Sequence, residues 1–355
     1  MWQTILMVEF VARTPGLHPW DAVYLSGDHD LLGRWKADAV RLDWRDGAFR
    51  THLDLPTGER VRYLFTRGSW RQAELDGNGR EHLPREVVPL PGLMVDVAVP
   101  AWGRESVRYH HDFPSAFLPH PRTLSVHLPP GYDLDPHRYY PVLYLHDGQN
   151  LFDAHTSFAG VPWRCDESAE QLARLGEITP VIQVGIANTP DRLKEYGPTA
   201  DGDLSAAYGR FLIEEVKPFV DAAYRTRNGP EHTGVCGSSM GGLISLELAR
   251  RHPDVFGKCA ALSSSLWWDH ERLLRHLADH PHQFDRCRLW VDMGTHEGPS
   301  SDGPPPMVRR ARRLAAALRH LPPHQFRYTE VDGGMHNEWA WAARFPDVLR
   351  FLFPA

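Results

Sequence analysis

Cysteine is scarce in this chain: four among 355 residues, Cys165, Cys236, Cys259 and Cys287, with no CxxC spacing. That excludes a disulfide-stapled framework and a cysteine-built zinc module. Three of the four sit in apolar, strand-like runs, which predicts buried free thiols in a reducing compartment. Positive charge is also in short supply. Lys and Arg number 39 against 45 Asp and Glu, a net charge of −6 with a pI near 6.4. No basic block offers the phosphate-neutralising surface that general nucleic-acid binding requires. No apolar run approaches the roughly 18 residues of a membrane span. The first residues, "MWQTILMVEFVART", lack a basic start, a long apolar core and a small-residue cleavage site. They predict a first strand rather than a signal peptide, and hence a cytoplasmic protein. Histidine, at 21, is abundant, but no HExxH or Cys/His cluster accompanies it. His276 and His280 share a helical face in "LLRHLADHPH" without a carboxylate base between them. A His-rich surface is therefore expected, and no metal site.

What is present suffices for two domains and a large core: 42% of the residues are hydrophobic and 24% charged. Residues 1–103 carry short strand-like runs ("TILMVEFVA", "DAVYLSG", "AFRTHLDL", "RVRYLFTRG", "LMVDVAV") broken by Gly, Pro and Asp. That spacing predicts a small all-β sandwich. Residues 104–121, rich in Pro, His and aromatics, are expected to be a linker leading into the second domain. From 122 to 355 strand-like runs alternate with helical ones, which predicts an α/β domain with a mostly parallel sheet covered on both faces. In such sheets the functional crevice lies at the carboxyl ends of the strands.

One stretch carries chemistry. "HTGVCG" reads as a strand and "GGLISLELARR" as a helix, and between them Gly237-Ser238-Ser239-Met240-Gly241 fits G-x-S-x-G with Ser239 at its centre. Such a turn forces the central serine into a strained conformation and lifts its hydroxyl above the sheet. Ser238 fails the pattern because Met240, not glycine, completes its spacing. Met240 opens the following helix, so its amide can face a developing oxyanion. A serine nucleophile needs a base, and the base needs orienting. His336 in "EVDGGMHNEWAW" lies after the last strand and before the last helix. The acid falls within "RLWVDMGTHEGPS", where Asp292 and Glu297 compete. Glu297 is favoured because it follows the Gly294-Thr295 turn, whereas Asp292 is still inside the strand. His320 and His324 read as surface. Gly148 and Gln149 in "LYLHDGQNLFD" are candidates for the second oxyanion donor. Trp163, Arg192, Tyr196, Trp267, Trp268, Asn337 and Trp339 are candidate pocket walls, with the aromatics suited to an aryl or sugar group.

The segments "VLYLHDGQNLFD", "GVCGSSMGGLISLELARRHPDVFGKCAALSSSLWW", "DMGTHEG" and "GGMHNEWAW" resemble the esterase D family. The likeness runs from about residue 120 to the end and is nearest the branch of enterochelin-type, feruloyl and acetyl-xylan esterases. It implies an α/β-hydrolase fold and a serine carboxylic-ester hydrolase without cofactor. By that resemblance Ser239, Glu297 and His336 are the triad, and Met240 with the Gly148/Gln149 region is the oxyanion hole. The expected substrates are small acyl, aryl or carbohydrate-linked esters. An acyltransferase using the same triad, or a glycan-binding protein with an inactive hydrolase domain, are the competing readings. The N-terminal segments "VYLSGDHDLLGRWKADAVRL", "LPTGERVRYLFTRGSW" and "ELDGNGRE" are similar to starch- and glycogen-binding modules. That likeness implies a sugar platform at Trp35, Trp70 and Asn78, interrupted here by "RQAELDG".

Overall fold

The computed structural model describes residues 4–15, 17–76, 82–102, 106–154, 156–158, 160–199, 204–298 and 303–355. Asn78 lies outside the described residues. The chain divides into two compact units, Met1–Glu105 and Ser106–Ala355.

The first unit is all-β. Its strands are β1 (Ile5–Arg13), β2 (Tyr24–Gly27), β3 (Val40–Arg41), β4 (Asp43–Arg45), β5 (Ala48–Pro56), β6 (Val61–Thr66), β7 (Glu74–Leu75), β8 (Arg85–Val87), β9 (Met94–Ala98) and β10 (Ala101–Trp102). They form two four-stranded sheets, ordered β4-β5-β1-β9 and β3-β2-β6-β8, plus a β7-β10 ribbon. Strand alternation sends Val8, Phe10 and Ala12 of β1 inward, where they join Leu25, Phe49, Tyr63 and Phe65 in one buried cluster. The paired burial of both sheet faces is what holds so small a unit together.

The second unit contains β11 (Val107–Phe113), β12 (Arg122–His127), β13 (Val142–His146), β14 (Ile182–Ile186), β15 (Thr233–Ser238), β16 (Lys258–Leu262), β17 (Arg288–Gly294) and β18 (Phe326–Val331). Its helices are α1 (Cys165–Arg174), α2 (Arg192–Tyr196), α3 (Leu204–Arg210), α4 (Lys217–Ala223), α5 (Met240–Arg251), α6 (Trp268–Asp279), α7 (Pro306–Ala317) and α8 (Glu338–Leu352). The eight strands form one sheet in the order β11-β12-β14-β13-β15-β16-β17-β18. Only β12 runs antiparallel to both neighbours; β13 through β18 are parallel. Eight strands in this order, with helices on both faces, make an α/β-hydrolase fold.

Strand parity explains the two faces. In β13, Val142 and Tyr144 pack into the cluster that holds Leu243, Ile244 and Leu246 of α5 and residues of α6 and α7. Leu143 and Leu145 point the other way, into the cluster with Ala169 of α1 and Phe345, Val348 and Leu349 of α8. A strand buried on both sides favours apolar residues at successive positions, which is why the start of β13, "VLYL", reads as a continuous hydrophobic run. Each fully buried aliphatic side chain contributes about 1.5–3 kcal/mol. All four cysteines are buried and free.

The segment expected to be a linker departs from the reading. Within residues 104–121, "VRYHHDF" is β11, an edge strand paired antiparallel with β12. Its side chains are mostly solvent-facing, so hydrophobic alternation could not reveal it. Among the described residues, no helix is long and apolar enough to cross a membrane.

Candidate active site

At the end of β15 the chain reverses into α5 through Ser239, whose backbone sits at φ 56°, ψ −119°. A non-glycine residue there is strained, and the surroundings hold it. The Ser239 amide donates to the Leu262 carbonyl at 3.0 Å, and its carbonyl accepts from the amides of Leu243 and Ser265 at 3.1 and 3.0 Å. Glycine is required at 237, because a Cβ there would lie 2.7 Å from the Gly241 backbone. The result presents the Ser239 hydroxyl at the carboxyl edge of the sheet, over the first turn of α5. The Met240 amide is among the first-turn donors that have no acceptor within a helix.

His336 lies in the loop between β18 and α8. Its Nε2 is 3.0 Å from Ser239 Oγ and its Nδ1 is 2.8 Å from Glu297 Oε2. A carboxylate can only accept, so Nδ1 carries the proton and Nε2 is left to accept from the serine hydroxyl. The imidazole is exposed along one side and stands edge-on to Trp341, with ring centroids 5.0 Å apart. The next residue, Asn337, caps α8 by accepting from the Ala340 amide at 3.0 Å, which fixes where the loop ends.

Glu297 is buried, and its second oxygen accepts from the Gly294 amide at 2.8 Å and from the Ser263 hydroxyl. Burial alone would push its pKa up. The hydrogen bonds from His336, Ser263 and Gly294 outweigh that and hold it below the ordinary glutamate value. Asp292, the competing acid, does not reach His336. Its carboxylate accepts from Arg344 Nη1 at 2.6 Å, Trp290 Nε1 at 2.9 Å and the Ser263 amide at 3.3 Å. Burial dominates there and pushes its pKa up to about 6, against the partial offset from Arg344 and Trp290. Ser263 joins the two carboxylates: its hydroxyl also accepts from Trp341 Nε1 at 3.0 Å and Arg344 Nη2 at 3.1 Å. Ser265 Oγ lies 3.3 Å from Ser239 Oγ.

The loop after β13 forms the facing wall. Asp147 adopts a left-handed conformation (φ 55°), and its carboxylate is gripped by Arg192 at 2.6 and 2.7 Å and by Asn188 Nδ2. Burial disfavours the Arg192 charge, but this carboxylate outweighs it and raises the guanidinium pKa. Gly148 then runs against β14, where a Cβ would lie 2.6 Å from the backbone of Gly185 and Ile186. The Gln149 side chain accepts from the Asn188 amide at 3.1 Å. Gln149 therefore braces the loop with its side chain.

Of the expected pocket walls, Trp163 and Tyr196 are buried in the packing. Trp163 stands against Trp341 and Phe345, and Tyr196 accepts from the Asp147 amide at 3.3 Å. Aromatics at strand ends serve core and crevice alike, and only burial separates them. Arg192 is committed to Asp147, Asn337 to its cap, and Trp268 to the Pro198 carbonyl at 3.1 Å. Trp267 and Trp339 are exposed, as is Met335 beside His336. Ser263, Ser265, Asn188 and Arg344 escaped the sequence reading; the run "LSSSLWW" at the end of β16 was the only signal for the first two. In the first unit, Trp35 and Trp70 come together, with ring centroids 6.0 Å apart at 56°, and Trp70 Nε1 donates to the Trp35 carbonyl at 3.1 Å.

The sequence model of the family described as "Putative esterase" matches residues 115–352. The chain is 24% identical over 245 residues to the uncharacterized protein YbbA of Bacillus subtilis, covering 65% of this chain and 92% of that one. It is 29% identical over 179 residues to the iron(III) enterobactin esterase of Escherichia coli K12, covering 48% of this chain and 41% of that protein. A solved structure of the enterobactin esterase FES from Shigella flexneri, in the presence of 2,3-dihydroxy-N-benzoyl-glycine, superimposes with a TM-score of 0.57 at 18% identity. That superposition covers 97% of this chain and 92% of the other.

Proposed function

Because the chain belongs to the Putative esterase family, we propose that it hydrolyses carboxylic esters through an acyl-enzyme on Ser239, with His336 as base and Glu297 as the orienting acid. One observation carries the reading: a single imidazole bridges Ser239 Oγ at 3.0 Å and the Glu297 carboxylate at 2.8 Å. His336 takes the hydroxyl proton as Ser239 attacks the ester carbonyl, and Glu297 stabilises the imidazolium. The Met240 amide and an amide of the Gly148/Gln149 loop receive the developing oxyanion. His336 then protonates the leaving alkoxide, and a water activated by the same imidazole releases the acid.

The residues at the rim support a reading of the substrate class. Trp267 is exposed on the loop after β16, which carries Ser265; Met335 is exposed on the loop after β18, which carries His336; and Trp339 is exposed in the first turn of α8, three residues after His336. Exposed aromatics near the segments that carry the candidate nucleophile and base suit esters with an aryl or sugar face. Labelling with a fluorophosphonate, followed by peptide mapping, tests the chemistry. Modification at Ser239, with turnover of aryl and acetyl esters, is the expected outcome. A folded protein that takes no label at Ser239 would remove the reading.

The first unit has its own role in this proposal. The Trp35–Trp70 pair offers two apolar ring faces on which glucose units can stack. Replacing both with alanine is expected to abolish retention on a soluble-starch affinity gel while leaving turnover of a small aryl ester unchanged. Equal mobility of parent and variant on that gel would rule the platform out.

A further inference from the structure

Histidine is plentiful in this chain, and among the described residues one group of three possible metal ligands, two of them histidines, gathers away from Ser239. His282, Asp285 and His320 bring their ligand atoms within 4.8 Å of one another. We propose that these three side chains bind a divalent transition-metal ion, separately from the ester chemistry.

The topology explains the convergence. His282 lies in the single turn Pro281–Phe284, with Asp285 directly after it, and both precede β17. His320 lies in the turn between α7 and β18. Because β17 and β18 are parallel neighbours, the segments that lead into them run side by side. Both lie at the amino ends of their strands, whereas Ser239, Glu297 and His336 lie at carboxyl ends. With seven residues in β17, that separation is on the order of 20 Å.

The three groups already share one centre. His282 Nδ1 is 2.9 Å from Asp285 Oδ2, and His320 Nε2 is 2.9 Å from Asp285 Oδ1. The imidazole centroids are 4.9 Å apart. The frame beneath is tied: Phe284 is fully buried, and Gln325 Nε2 donates to the carbonyls of Phe284 and Asp285 at 3.3 and 2.5 Å. Only side-chain rotation is then needed to reach ligand distances of about 2.0–2.2 Å. The neighbouring cation, Arg286, is paired with Asp254 at 2.8 Å.

The donor set selects the ion. Two imidazoles and one carboxylate suit Zn²⁺, Co²⁺, Ni²⁺ or Cu²⁺, whereas Mg²⁺ and Ca²⁺ take all-oxygen shells. Water would complete the coordination of so open a site. The stacked pair His276 and His280 is a poorer candidate, because His276 Nε2 faces the Arg250 guanidinium at 3.0 Å. An ion held by both segments would clamp the approach to β17 onto the approach to β18 and stabilise the fold by mass action.

The test is calorimetric titration of tag-free, chelator-treated protein with Zn²⁺, with Co²⁺ absorption spectra as a second readout. One ion per chain is expected, together with a rise in Tm. His320→Ala and Asp285→Asn should each weaken Zn²⁺ binding at least ~10-fold and remove the Tm rise. His280→Ala should bind as the parent does, and esterase turnover measured without metal should be the same in all forms. Unchanged Zn²⁺ affinity in both His320→Ala and Asp285→Asn, or no binding at millimolar Zn²⁺, would overturn the site.

Discussion

Ser239→Ala is expected to lower kcat/KM for an activated aryl ester by at least about 10,000-fold, with the unfolding transition within a few degrees of the parent. The large loss follows from what the hydroxyl does. Without it, in the proposed mechanism, the base, the acid and the oxyanion donors have no covalent partner, and only binding and electrostatic stabilisation of attack by water remain. The small stability effect follows from what stays. Alanine keeps the Cβ at φ 56°, and the backbone bonds to Leu262, Leu243 and Ser265 do not involve the side chain. Only the contacts to His336 at 3.0 Å and Ser265 at 3.3 Å are lost. Ser238→Ala is the control: that side chain is buried at the end of β15, one position before the turn. Initial-rate kinetics on the purified variants, with circular dichroism melts, decide between the two serines. Near-parental turnover by Ser239→Ala would place the nucleophile elsewhere.

The elbow was legible because its constraints are local. Glycine at 237 answers a close approach of backbone only four residues away, at Gly241, and the strand before it and the helix after it carry their own periodicities. The parallel sheet was legible for a similar reason: strands buried on both faces are rich in apolar residues at successive positions. What could not be read depends on pairing across the sheet. The partner of Asp292 is Arg344, which comes from α8, and nothing in "RLWVDMG" announces it. His282 and His320 meet only because β17 and β18 are neighbours. The strand β11 was masked by exposed polar side chains at an edge, and Trp163 and Tyr196 were assigned to a crevice because aromatic character does not report burial. The candidates Ser239, Glu297 and His336 were within reach because each follows the end of a strand and they come in the order serine, acid, histidine.

The two carboxylates near His336 are expected to behave in opposite ways when each is replaced by its amide. Glu297→Gln should lower kcat by about 1,000- to 10,000-fold, because an amide in place of the acceptor at 2.8 Å no longer fixes the proton on His336 Nδ1. Asp292→Asn should lower it less than about 10-fold, since Asp292 bonds to Arg344, Trp290 and Ser263 rather than to the imidazole. Their pH dependences differ in sign as well. Burial raises Asp292 to about 6 in the folded protein, against about 3.9 in the unfolded chain. Its contribution to stability is therefore complete below the unfolded value and is lost as pH rises through about 6. An asparagine, which never ionises, should gain on the parent over that window. Glu297 is depressed on balance, the donors from His336, Ser263 and Gly294 overriding burial. Its contribution is present above the unfolded value and lost as pH falls, so the Tm deficit of Glu297→Gln should widen from acid to neutral pH. Kinetics and melting curves on both variants across that range read all four expectations. A collapse of kcat in Asp292→Asn with near-parental kcat in Glu297→Gln would transfer the orienting role to Asp292. That outcome would require Arg344 to release Asp292 in the working enzyme, because in the present geometry the Arg344 guanidinium holds its carboxylate at 2.6 Å.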